Sequence, residues 1–174
     1  MLLLASTLSL AAPPQRISYA VYSGVEGEPG EMPAVSLPFP VPWSQRMSWS
    51  DGWGLDLDSS ARLAPNFDLT ARFTVYWSPL PKGRFVPYAL AGVAFGDRDV
   101  PRHEGGGRMG LGPALSVGVE AWLTPRVAVD AVLGTDLIWA APLDSAAWQL
   151  SGDYSARLGV RFMIPILVPP VSPA

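Results

Sequence analysis

Residues 66–77 read Asn-Phe-Asp-Leu-Thr-Ala-Arg-Phe-Thr-Val-Tyr-Trp, with Phe67, Leu69, Ala71, Phe73, Val75 and Trp77 alternating against Asn66, Asp68, Thr70, Arg72, Thr74 and Tyr76. Successive side chains of a strand point to opposite faces of its sheet, so this period predicts a strand with one apolar and one polar face. The pattern recurs. Leu55, Leu57, Ala61 and Leu63 oppose Asp56, Asp58, Ser60 and Arg62; Leu115, Val117, Val119, Ala121 and Leu123 oppose Ser116, Gly118, Glu120 and Trp122. Val127, Val129, Ala131, Leu133, Leu137 and Trp139 oppose Ala128, Asp130, Gly134 and Asp136. A last run sets Trp148, Leu150, Tyr154, Ala156, Leu158, Val160 and Phe162 against Gln149, Ser151, Asp153, Ser155, Arg157 and Arg161. Arg16–Ser23 alternates more weakly, and Phe85–Gly96 is apolar on both faces, a strand whose sides the pattern leaves unassigned.

Between these runs lie turn signals. Residues 24–42 carry Gly24, Gly27, Pro29, Gly30, Pro33, Pro38, Pro40 and Pro42, and proline removes a ladder donor, so a long loop is expected there. Asp51-Gly52 between runs 43–50 and 53–63 predicts a tight two-residue type I′ hairpin. Residues 64–66, 78–84 and 124–126 read as turns, and 97–107, charged and ending in Gly105-Gly106-Gly107, reads as a loop. About eight strands result, with lengths near the roughly 9 to 11 residues that cross a bilayer when tilted.

Which face looks inward decides the rest. Hydrophobic residues make up 49% of the chain and charged ones 16%, a thin charged coat against the usual share of about 25%. Lys82 is the one lysine among twelve basic residues. Met1–Ala12 is an apolar run that resembles a secretory signal with cleavage near Ala11 or Ala12, although no Lys or Arg precedes Arg16. No later stretch approaches the run of about 20 apolar residues that a membrane helix needs. A net charge of -3 without a basic tract gives no reason to expect nucleic acid. The absence of cysteine excludes disulfides and thiolate metal sites.

Three features turn the apolar face outward, toward lipid. Trp77, Trp139 and Trp148 stand at strand ends, where a membrane barrel keeps its aromatic girdles. The polar face is built from Gly, Ser, Thr, Asp and Arg, which can fill a narrow lumen. No charged residue interrupts the apolar face of residues 53–77, 115–139 or 148–162, and an Arg at mid-membrane would cost ~2 to 4 kcal/mol there. The expected fold is all-β, an eight-stranded antiparallel up-and-down transmembrane β-barrel.

Arg84-Phe-Val-Pro-Tyr-Ala-Leu-Ala-Gly-Val-Ala-Phe-Gly96 resembles the Pro-Tyr-x-x-x-Gly strand of the small outer-membrane β-barrel domain of OmpA and OmpX type. Gly110–Leu133 is similar to that family's Gly-rich strand, short turn and following strand, and Tyr154–Phe162 to its closing strand. The resemblance implies the outer membrane of a Gram-negative bacterium and a closing strand that ends in the periplasm. Turns 124–126 and 78–84 and the Asp51-Gly52 hairpin would then be periplasmic, with 24–42, 64–66, 97–107 and 140–147 outside. Arg157-x-Gly159-x-x-Phe162-x-Ile164 is similar to the C-terminal signal read by the outer-membrane insertion machinery, ending in Ile where an aromatic is usual. Expected partners are therefore outer-membrane lipid and that machinery. The expected division is a signal at 1–12, a barrel domain at 16–164 and a Pro-rich tail at 165–174.

The inward polar face would carry Asp56, Asp58, Asp68, Glu120, Asp130, Asp136 and Asp153 with Arg62, Arg72, Arg157 and Arg161. An eight-stranded barrel is just wide enough to be filled by side chains, so a salt-bridged plug is favoured over a selective pore or proton path. The single histidine, His103, sits beside Glu104 with no nearby serine and no metal-ligand spacing; it reads as a solvated loop residue, and no catalytic, metal or cofactor site is expected. The expected role is structural or surface-interacting and non-enzymatic. The alternatives are a narrow conduit or binder for a small apolar molecule, and a soluble secreted lipocalin-like barrel.

Overall fold

Alternating faces give each strand a side that must leave water and a side that must keep polar company, and a closed sheet satisfies both while leaving no unpaired edge. The computed structural model describes residues 16–27, 34–36, 43–49, 51–62, 68–99, 107–142 and 149–165. Among the described residues there are nine strands: β1 (Arg16–Gly27), β2 (Ala34–Ser36), β3 (Trp43–Ser48), β4 (Trp53–Arg62), β5 (Asp68–Trp77), β6 (Phe85–Asp99), β7 (Gly107–Thr124), β8 (Val127–Pro142) and β9 (Gln149–Pro165). Each pairs antiparallel with the next around the wall, and β9 returns to β1, with Arg16 opposite Pro165 and Gly27 opposite Tyr154.

β2 and β3 are two pieces of one barrel strand. Both lie antiparallel on β1, with Ser36 opposite Gly24 and Trp43 opposite Val21, and both touch β4, through Arg62 and through Gly54–Asp58. The barrel is therefore eight-stranded. This corrects the long loop expected over 24–42: β1 runs on to Gly27, and Ala34–Ser36 rejoins the sheet. Pro33 lies just before β2 and Pro38 after it, so neither removes a ladder donor within Ala34–Ser36. Residues 63–67, with the 64–66 turn, 100–106, with His103, and the termini 1–15 and 166–174 lie outside the described residues, as does Trp148.

Other boundaries also move. β6 extends to Asp99, β7 opens at Gly107 and β8 reaches Pro142, so the loops expected at 97–107 and 140–147 begin later or end sooner. Charge and the glycine run favour a loop at 97–107, but the segments on either side pair through ladders such as Asp97 with Met109 and Arg108 with Pro142. The Asp51-Gly52 connection is not a two-residue turn. The Trp49 N–H donates to the Trp53 carbonyl at 2.8 Å, leaving three residues between, and Gly52 takes a φ of 88°. A three-residue hairpin needs its left-handed residue only at the last position, and glycine stands there, whereas type I′ would also force Asp51 to positive φ.

Outward-facing side chains are apolar from one end of the wall to the other. Leu57, Phe73, Val75, Leu115, Val117, Leu133, Leu137, Leu158 and Val160 all stand exposed. Among the residues whose side chains are described, the exposed charged groups (Arg16, Asp51, Lys82, Arg84 and Arg126) lie at the end bearing the short connections. A soluble barrel would invert this arrangement. Leu133, 61% exposed near the middle of β8, is thus predicted to face hydrocarbon. Leu133→Arg should destabilise the folded barrel by ~2 to 4 kcal/mol and Leu123→Arg, beside the β7–β8 turn, by only ~0 to 1, measured by denaturant unfolding in lipid vesicles.

Candidate functional site in the lumen

Strand alternation turns Ser18, Ala20, Tyr22 and Glu26 of β1 inward, and Ser44 and Arg46 of β3. β4 adds Asp56, Asp58 and Ser60, and β5 adds Thr70, Arg72, Thr74 and Tyr76. β6, whose faces the sequence pattern leaves open, sends Val86, Tyr88, Leu90 and Ala94 inside. Four arginines and six carboxylates are buried here and form two tiers.

The tier nearer the short turns centres on Arg161 and Asp130, both 0% exposed. Asp130 accepts from Arg161 Nε at 2.9 Å, from the Tyr22 hydroxyl at 2.6 Å and from the Tyr88 hydroxyl at 2.6 Å. Arg161 also donates to Ser18 and Ser44, each at 3.1 Å, and lies 3.3 Å from Glu120. Arg46 bridges Asp56, at 2.6 Å, and Glu120. Its guanidinium lies 4.3 Å from the Tyr76 ring centroid and 4.2 Å from that of Tyr88, a cation–π arrangement in a desolvated site. Trp122 Nε1 donates to the second Glu120 oxygen at 3.1 Å.

The other tier joins Arg72 and Arg157 to Glu26, Asp58 and Asp136. Arg157 donates to Asp58 at 2.5 Å, and Arg72 reaches Asp136 at 2.7 Å, Asp58 at 3.3 Å and Ser60 at 2.9 Å. Glu26 stands 3.9 Å from Arg72. Tyr22 links the tiers, since its hydroxyl belongs to the first while the Arg157 guanidinium lies 5.2 Å from its ring. Two glycines make room for the rings. Gly118 is in register with Tyr88, and Gly159 with Tyr22; a Cβ on Gly118 would fall 2.5 Å from the Tyr88 hydroxyl oxygen and one on Gly159 2.5 Å from Tyr22 Cδ1.

Of the residues expected in the lumen, Asp56, Asp58, Arg72, Glu120, Asp130, Asp136, Arg157 and Arg161 are buried and brought together. Asp153 is half-buried on β9, in register with Asp136. Arg62 and Asp68 are ladder partners across β4 and β5, and their side chains lie outside what the structure describes. Trp77 and Trp139 point outward, and Trp77 packs against Trp53 at 6.3 Å. Phe162 and Ile164 also point outward, opposite Tyr19 and Ile17 of β1.

Sequence reasoning missed Arg46, Glu26, Tyr22, Tyr76, Tyr88 and Ser44 as members of this network. Arg46 had a usable signal, because Ser44, Arg46 and Ser48 share one face of residues 43–50. Tyr88 had none, lying in a run apolar on both faces.

No protein-family model matches the chain, and no curated protein does. Solved structures do. The N-terminal β-barrel domain of Pseudomonas aeruginosa OprF superposes with a TM-score of 0.63 at 14% identity, covering 88% of this chain and all (100%) of that one. The Pseudomonas aeruginosa outer membrane protein OprG gives 0.59 at 12% identity, covering 88% and 97%. A structure from the de novo design of transmembrane β-barrels gives 0.53 at 13% identity, covering 88% and 98%. The fold is that of the small outer-membrane β-barrels. Identity this low carries architecture and not activity, a point the designed barrel makes on its own.

Removing one member of a buried network leaves the rest uncompensated. Asp130→Ala, which takes from Arg161 and two tyrosine hydroxyls their shared acceptor, should destabilise the barrel by about 3 to 5 kcal/mol. The double variant Asp130→Leu with Arg161→Met should recover most of the loss. Urea midpoints of refolded protein in vesicles check both.

Proposed function

We propose that this protein is an integral barrel of a Gram-negative outer membrane, its lumen plugged, with a structural or surface-contacting role and no catalysis of its own. One observation carries the reading. Two tiers of ion pairs span the interior of a barrel that is wide enough only for side chains. The apolar outer wall supports lipid as the surrounding medium. The short connections after β3, β5 and β7 mark the periplasmic end, because outer-membrane barrels keep short turns there.

The opposite end is uneven. β6 to β9 are 15, 18, 16 and 17 residues long, whereas β4 and β5 have 10 each. Strands of 10 suffice to cross the bilayer, so the longer half of the wall stands beyond it and offers a surface to the exterior. This favours a contact role over a conduit. An apolar solute entering the lumen would have to displace charged groups that have no other partners.

The C-terminal strand fits recognition by the insertion machinery. β9 is the closing strand, Phe162 and Ile164 present an apolar outer edge to lipid, and Arg157 and Gly159 serve the interior.

In planar bilayers the wild-type protein should show no steady conductance, while Arg72→Ala with Arg157→Ala, which empties one tier, should produce small openings. Well-resolved ohmic steps from the wild type would sink the plugged reading. Heat-modifiable electrophoretic mobility and extraction only by detergent should accompany both proteins.

A further inference from the structure

Exposed basic groups gather at the short-turn end of the wall. At the short-turn end Arg16, Lys82, Arg84 and Arg126 face one exposed carboxylate, Asp51, and none of the four basic groups makes an ion pair among the described residues.

Three of the four basic groups converge. Arg16 at the start of β1 and Lys82 and Arg84 of the β5–β6 connection line one open groove of about 640 Å3, with Trp122, Leu123 and Met163 completing it. A second hollow of about 180 Å3 shares Arg16, Lys82 and Trp122 and runs inward until Arg46 and Glu120 close it. The hollow ends on that ion pair, and the groove's own cations are left without an ion-pair partner among the described residues.

We propose that this groove binds the phosphate-bearing headgroup of an anionic phospholipid in the periplasmic leaflet. Phosphate is the chemistry that three unpaired cations recognise, with arginine forks supplying paired donors. A lipid, and not a free phosphate, fits because the groove opens onto lipophilic surface. Leu123, which lines it, is 60% exposed, and Leu80 and Phe85, beside Lys82 and Arg84, are 61% and 65% exposed. Acyl chains would cover those side chains while the headgroup sits among the cations. Trp122 forms part of the groove's wall, its ring held there by the bond to Glu120.

The assignment rests on the outer-membrane reading above, and a single set of measurements separates the two. Folded protein in detergent micelles is titrated with phosphatidylglycerol or phosphatidylcholine and bound lipid is counted by native mass spectrometry. Phosphatidylglycerol should be retained at least about fivefold over phosphatidylcholine, the scale of one basic residue at an anionic surface. The triple variant Arg16→Gln, Lys82→Gln, Arg84→Gln should lose that preference, while Arg126→Gln, at the same end but outside the groove, should keep it. Equal retention of both lipids, or an unchanged preference in the triple variant, overturns the proposal. So does inorganic phosphate that binds as tightly as the lipid. Failure to insert into vesicles or to show heat-modifiable mobility would instead overturn the membrane reading itself.

Discussion

Ten buried charges in a space the width of a few side chains impose the governing constraint: each guanidinium and carboxylate inside the wall must be answered by another. The Asp130–Arg161 pair is its centre, with neither residue reaching solvent and the two between them drawing further partners from β1, β3 and β6. Removing a charge from water costs several kcal/mol, recovered only where geometry and additional hydrogen bonds are good. That requirement fixes which strands face which across the lumen. Asp130 of β8 must meet Tyr22 of β1 and Tyr88 of β6 at once, and a slip of one residue in either ladder would send those hydroxyls into the lipid-facing surface.

The glycines follow from the same constraint. Tyr22 and Tyr88 reach Asp130 only because their rings lie against Gly159 and Gly118 on adjoining strands, where a Cβ would take the space of the ring. Their aromatic faces then become useful in turn, as Tyr76 and Tyr88 pack on Arg46 and Tyr22 approaches Arg157. Ionic pairing, ring packing and close strand approach are therefore one arrangement, and cooperativity within such a network is expected to exceed the sum of its pairs.

The outer wall answers a different solvent. Apolar side chains that would be a liability in water are at no disadvantage in hydrocarbon, so the hydrophobic effect supplies its stabilisation by excluding water from the outside of the barrel and not by filling its centre. The interrupted second strand is one irregularity in that wall, and the register shift of β7 on β8 between Trp122 and Thr124 is another. Only Tyr22 and Ser23 separate the β2-paired and β3-paired parts of β1, yet six residues, 37–42, separate β2 from β3. Four residues thus exceed the ladder, and the ladder resumes in phase because the excess is even.

Much of this was legible along the chain. The two-residue period at 53–62, 68–77, 115–123 and 127–139 named both faces of four strands, and with them Asp56, Asp58, Arg72, Glu120, Asp130 and Asp136, because a period of two assigns every side chain to a side regardless of what lies across from it. The Asp51-Gly52 turn was located correctly but given too few residues, since turn length depends on the register of the flanking strands. Glu26, Tyr22 and Tyr88 emerged only on closure of the barrel. Their membership depends on meeting partners 42 to 139 residues away in the chain, as Tyr88 meets Asp130 and Tyr22 meets Arg161. Local alternation sorts inside from outside; which charge answers which is set by shear and curvature, quantities that belong to the closed sheet and to no single strand.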